Sequence, residues 1–165
     1  MSASNAAATI SVNQYLSFSL GAETFATPVS RVREIMDLTA VTRVPQTPAY
    51  MLGVINLRGS VVPVIDLRSL LGLPGVEQTR DSCIIVLEIA LNGELFILGA
   101  VADAVREVFD LADDQIEPPP RLGTRLRTDF IQGLAHLDER LIICLNIERV
   151  LTADQLEVMQ DVAAG

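Results

Sequence analysis

Along most of this chain apolar and polar residues alternate with a period of two, the signature of strands that bury one face. YLSFSLG runs this way to Gly21 and ETFATPV repeats it, so residues 15–29 predict a hairpin. VREIMDL and AVTRVP read as short β-like pieces punctuated by Pro45 and Pro48, and TPAYML predicts one helical turn with Pro48 at its start. GVINL and SVVPVIDL are the next strands, joined through the tetrad Asn56-Leu57-Arg58-Gly59, whose first two residues end GVINL. Gly59 permits a positive φ, which makes this tetrad a tight hairpin tip. Pro63 predicts an edge strand or a bulge, and DLRSLLGLP a short helical turn ending near Gly72. SCIIVLEIAL and ELFILGAVADAV flank Asn92-Gly93, a strong hairpin dipeptide. After the polar loop EPPPRLGTRLRT, FIQGLAHL and RLIICLNIERVL form a last hairpin. Thr152-Ala153-Asp154-Gln155 then reads as a capping box that opens a C-terminal helix.

The pattern repeats. VSRVREIMDL (29–38) resembles ADAVREVFDL (102–111), and GVINLRGSVVPVIDLRSLL (53–71) lies over GLAHLDERLIICLNIERVL (133–151). The two spacings differ by seven residues, which the polar loop absorbs. Two copies of a strand-rich unit predict a mainly β protein of two small barrels, each closed to remove its edges. Residues 1–12 predict a flexible N-terminal tail and 13–165 a single domain made of the two pseudo-repeated barrels. Where the first copy has Asn56-Leu57-Arg58-Gly59, the second has His136-Leu137-Asp138-Glu139. The hairpin is therefore scaffold, and the tip is where specificity is added.

Composition narrows the function. The net charge of −9 argues against nucleic acid, whose phosphates need Lys and Arg, and against docking on an anionic membrane. All the basic residues are Arg, which is read as coding bias. Cys83 and Cys144 sit in apolar runs with no CxxC or Cys/His ligand spacing, so no metal site is expected and a reducing compartment fits. MSASNAAATIS has neither the basic nor the apolar region of a signal peptide, and no apolar run reaches the length of a membrane span. The expected location is cytoplasmic.

Catalytic chemistry finds little support. His136 is the single histidine, and no GxSxG, HExxH or P-loop pattern occurs. Asp66, Asp103, Asp110, Asp113 and Asp114 read as a solvated rim. Arg121, Arg125 and Arg127, near Phe109 and Phe130, make a basic patch too poor in aromatics for single-stranded nucleic acid. Half of the residues are apolar, more than two small barrels bury, so a groove between the barrels is expected to expose Val, Leu and Ile. A binding module is the leading class.

Gly53-x-x-Asn56-Leu57-Arg58-Gly59-x-x-x-Pro63-x-x-Asp66-Leu67-Arg68 resembles the signature of the CheW family, the coupling proteins of bacterial chemotaxis. Val32-x-Glu34-Ile35, the Pro48 turn, Gly99…Asp103…Val105…Val108 and Leu145-Asn146-Ile147-Glu148 extend the resemblance over about residues 14–152. It implies two intertwined five-stranded, SH3-like barrels with short helices and a hydrophobic groove between them. It also implies a non-enzymatic adaptor with no cofactor, metal or catalytic residue. Its partners would be the regulatory domain of a chemotaxis histidine kinase and the tip of a methyl-accepting chemoreceptor, at membrane-associated arrays but without direct membrane insertion. Carried over by motif, Val32, Glu34, Arg58, Gly99 and Val108 are the partner-binding candidates, and Gly53, Asn56, Gly59, Pro63 and Asp66 the structural motif. Two other readings remain: an adaptor of a parallel pathway, such as pili or development, and a small-barrel enzyme or nucleic-acid binder.

Overall fold

The alternation builds eleven strands among the residues that this computed structural model describes, 12–38, 41–73, 81–91, 93–118, 130–151 and 153–164. In chain order they are β1 (Val12–Leu20), β2 (Glu23–Pro28), β3 (Val32–Asp37), β4 (Met51–Leu57), β5 (Ser60–Asp66), β6 (Cys83–Leu91), β7 (Glu94–Ala102), β8 (Ala104–Ala112), β9 (Ile116–Glu117), β10 (Ile131–Leu137) and β11 (Arg140–Leu145). Helices α1 (Leu67–Leu71) and α2 (Ile147–Val150) follow β5 and β11, and α3 (Ala153–Ala164) closes the described chain.

Two sheets form, in the orders β3-β6-β7-β5-β4 and β8-β1-β2-β11-β10-β9. The orders match position by position. Edge strands β3 and β8 each carry a bulge, between Val32 and Glu34 in one and between Val105 and Val108 in the other. The central hairpins are β6–β7 and β1–β2. Parallel pairing then adds β5 to β7, with Val64 opposite Gly99, and β11 to β2, with Ile142 opposite Thr24. The second sheet thus takes its central hairpin from the N-terminal end of the chain, and the two halves intertwine.

The register of each outer hairpin shifts at a glycine, Gly53 in β4 and Gly133 in β10. A Cβ on Gly53 would strike the Thr42 carbonyl, and one on Gly133 would strike Ile116 and the Glu117 carbonyl. Both glycines let a crossing segment lie flat on the strand. In the first half the described part of that segment makes the bridge from Thr42 to Val54; in the second it is β9.

The structure corrects several expectations. The second sheet has six strands because of β9. β1 begins at Val12, inside the expected tail. The described part of AVTRVP, residues 41–45, yields that single bridge, and TPAYML yields a turn closed by Met51 N–H to the Pro48 carbonyl before β4 begins. Pro63 lies in β5, an interior strand. It is tolerated because the ladder with β7 starts one residue later, at Val64. The basic patch Arg121, Arg125 and Arg127, most of the expected tail, and Thr152 of the capping box lie outside the described residues.

Among the described residues, much of the apolar surplus fills a core shared by the two halves. Leu16, Phe18, Leu20 and Phe25 of the second sheet pack with Met51, Ile65, Ile85, Leu87 and Leu98 of the first, and with Ile147, Val150 and Met159 of α2 and α3. Each such side chain contributes roughly 1.5–3 kcal/mol on burial. Smaller clusters sit within each half, around Val64 and Ile84 in one and Tyr15 and Ile142 in the other. Among the described residues, the exposed large apolar side chains are Val12, Ile35, Val61, Leu95, Val108 and Leu141.

Candidate functional site

The β4–β5 tip is built by its own sequence. Leu57 pairs with Ser60, which leaves a two-residue turn of Arg58 (φ +51°) and Gly59 (φ +88°). Both positive angles suit the right-handed twist of the flanking strands. Asn56 Oδ1 accepts a hydrogen bond from Gly59 N–H at 2.9 Å and fixes the turn.

This turn aims Arg58 across the edge strand β3. Its Nη1 donates to Glu34 Oε2 at 2.6 Å and its Nη2 to Glu34 Oε1 at 3.3 Å. That hydrogen bond raises the guanidinium pKa above its ordinary value. The Arg58 side chain is 72% exposed and Glu34 25%, so the pair sits open to solvent at the tip. Val32, on the same strand, is half-buried and packs against the shared core.

Of the other candidates, Val108 is 53% exposed on β8, in the other half of the molecule. It aligns with Ile35 of β3, which is 44% exposed. Gly99 is buried in β7, and a Cβ there would lie 2.8 Å from Ile84 Cγ2. Its place is a packing position between β5 and β6, not an accessible patch. Of the motif residues, Gly53 holds φ +147° under Thr42. Asp66 caps α1 by accepting from Arg68 N–H at 3.0 Å.

Sequence reasoning did not single out a second ion pair, Arg140 Nη2 to Glu107 Oε1 at 3.0 Å. Glu107 aligns with Glu34 in the repeat, so the signal was present. Val61 and Leu141, which align with each other, were not singled out either, and Ile35 entered only as part of the motif and not as a site residue.

Nothing among the described residues assembles a reaction centre. His136 is 65% exposed and lies 3.9 Å from Glu117 Oε2. Cys83 and Cys144 are buried free thiols. Burial pushes the Cys144 thiol up to about 11, which holds it protonated and unreactive at neutral pH. No group of three or more His, Cys, Asp or Glu able to hold a metal occurs among the described residues. A polar cleft of about 580 Å³ lies along β1, lined by Asn13, Gln14, Tyr15, Arg31 and Gln132 among others. There Gln132 Nε2 donates to Tyr15 Oη at 3.1 Å, and no nucleophile stands beside a base.

Known proteins match this arrangement. A family model described as a CheW-like domain matches residues 14–155. The chain is 35% identical over 150 residues to a chemotaxis protein CheW of Klebsiella aerogenes, covering 91% of this chain and 88% of that one. It is 34% identical over 144 residues to a probable chemotaxis protein CheW of Rhizobium etli, covering 87% and 90%. Its fold matches the crystal structure of the scaffolding protein TtCheW from Thermoanaerobacter tengcongensis with a TM-score of 0.78 at 32% identity, covering 90% of this chain and 93% of that one.

Proposed function

Because the chain belongs to the CheW-like family and acts as a chemotaxis adaptor, we propose that it joins a chemoreceptor tip to the regulatory domain of a histidine kinase. The observation that carries the reading is the exposed Arg58–Glu34 pair on a rigid hairpin tip. Two of the five guanidinium N–H donors point to Glu34, and the 72% exposure of the side chain leaves the guanidinium accessible to a partner carboxylate or carbonyl. Val32 lies beside this pair, and Val108 offers apolar surface on the other half. Two surfaces on two halves suit a protein that holds two partners at once.

Such an adaptor needs no chemistry of its own. Holding the kinase at the receptor raises its effective concentration there. Unequal binding to two kinase conformations would also shift their populations. Recruitment to the membrane-associated array comes through the receptor, from the cytoplasmic side. No helix among the described residues is long and apolar enough to cross a membrane.

A phosphotransfer assay tests this with kinase alone, kinase plus this protein, and both plus receptor. Only the three-component mixture should show a large gain. An equal gain without receptor would mean direct activation and would overturn the adaptor reading. A pull-down from native lysate identifies the pathway: recovery of a receptor and kinase that control pili or development would reassign it.

A further inference from the structure

The chain passes between the two sheets twice, once from β2 to β3 and once from β7 to β8. Each crossing is tied by an ion pair to a helix that follows an outer hairpin. At the second crossing, Asp103 lies between β7 and β8 and its carboxylate pairs with the Arg68 side chain of α1, Arg68 Nε reaching Oδ1 at 3.2 Å. The same Asp103 accepts from Gly21 N–H at 2.6 Å, in the β1–β2 turn, and its own N–H donates to the Ser19 carbonyl at 2.9 Å. Arg68 is 6% exposed. One carboxylate therefore ties the crossover, the helix after β5 and the central hairpin of the other sheet.

At the first crossing the signs are reversed. Arg31, in the 3-10 turn Val29–Arg31, meets Glu148 Oε1 of α2 at 2.6 Å. Glu148 aligns with Arg68 in the repeat. The carboxylates are similarly exposed, 28% for Glu148 and 31% for Asp103, but the Arg31 side chain is 35% exposed against 7% for Arg68. Solvent screens this pair more, and less energy opposes its opening.

We propose that Arg68 and Asp103 are positioning residues that set the orientation of one half of the molecule against the other, and with it the spacing of the two partner surfaces. The Arg58–Glu34 tip belongs to the first half and Val108 to the second. An adaptor that engages two partners together gains affinity only where its geometry fits both. The part concerning partners rests on the adaptor reading above; the part concerning orientation does not.

The test uses spin labels on Ser60→Cys and Glu139→Cys, exposed positions at the two outer tips, in a full chain whose native cysteines are buried. Inter-tip distances are measured by double electron–electron resonance without partners, in the parent and in Arg68→Met and Asp103→Asn. Asp103→Asn is the milder change, since its amide oxygen still accepts from Gly21. Both variants should show a broadened or shifted distance distribution, and Glu148→Gln a smaller change. Binding to kinase domain alone and to receptor alone should stay near parental, while the ternary complex weakens roughly tenfold or more. A lower melting temperature with an unchanged distance distribution would overturn the positioning role and leave the pair merely structural. Failure of the parent to bind either partner would instead overturn the adaptor reading, with the distance result still standing.

Discussion

The β4–β5 and β10–β11 hairpins have the same two-residue turn, Arg58-Gly59 in one and Asp138-Glu139 in the other, all four residues at positive φ. Each tip reaches an acidic residue on a bulged edge strand through an arginine: Arg58 to Glu34, and Arg140 to Glu107. The arginine comes from the turn itself in the first half. In the second it comes from the residue after the turn, and the turn is acidic. The ion pair between tip and edge strand thus belongs to the shared frame. The position that supplies the arginine decides what the tip presents, cationic in the first half and anionic in the second.

The largest way to break the comparison is at the two glycines. Gly53→Ala should destabilise by about 3–5 kcal/mol, because it combines a strained φ with a clash against backbone. Gly133→Ala should cost less, about 2 kcal/mol, since the two-residue β9 that it strikes can move aside. Urea unfolding measures both; equal losses would show that β9 is as firmly held as Thr42.

A smaller effect depends on pH. Cys144 aligns with Val64, and both are fully buried. Burial raises the thiol from 9.0 to about 11 in the fold, so the native state keeps a proton that the unfolded chain releases. Stability is full below about pH 9 and falls as pH climbs toward 11, by about 2 kcal/mol. Cys144→Val makes the second half like the first and should remove that share of the alkaline loss. Unfolding midpoints from neutral to alkaline pH decide the matter; an identical slope in the variant would assign the loss elsewhere.

Next in size is the tip itself. Arg58→Glu places two carboxylates together and reverses what the tip offers, and should weaken partner binding roughly tenfold. The melting temperature should hardly move, because the side chain lies in solvent. A large drop in melting would make Arg58 structural. Smallest of all, Arg140→Ser copies Ser60 into the second half and removes an ion pair whose partners are 47% and 49% exposed. Solvent screening leaves it under about 0.5 kcal/mol, readable by a double-mutant cycle with Glu107→Gln.

The hairpins were legible in the sequence because alternation and Gly59 or Asn92-Gly93 speak locally. The second tip was legible only through the repeat, since Asp138-Glu139 carries no glycine to announce positive φ. β9 was hidden: two residues have no period, and what makes room for them is an absent side chain on Gly133. Composition measured the apolar surplus but not its destination, because a shared core and an open groove use the same residues. Gly99 shows the same limit, as a small residue at a close strand approach reads like one at an interface. Arg58 and Glu34 were both singled out, yet their pairing depends on where the turn aims a side chain across the bulged strand, which spacing along the chain does not encode.

The origin of the second sheet's central hairpin also sets an order of assembly. Residues 32–102 contain every strand of the five-stranded sheet, so that half can form while synthesis continues. β1 and β2 leave the ribosome before the other strands, yet their neighbours in their own six-stranded sheet, β8 and β11, are made only after the five-stranded half is complete. During synthesis both outer edges of this early hairpin wait unpaired, although Phe18 and Phe25 can already pack on the core of the finished half, and closing so long a loop slows the final step. Aggregation competes with folding in that interval, and a chaperone would find its substrate at the N-terminal hairpin.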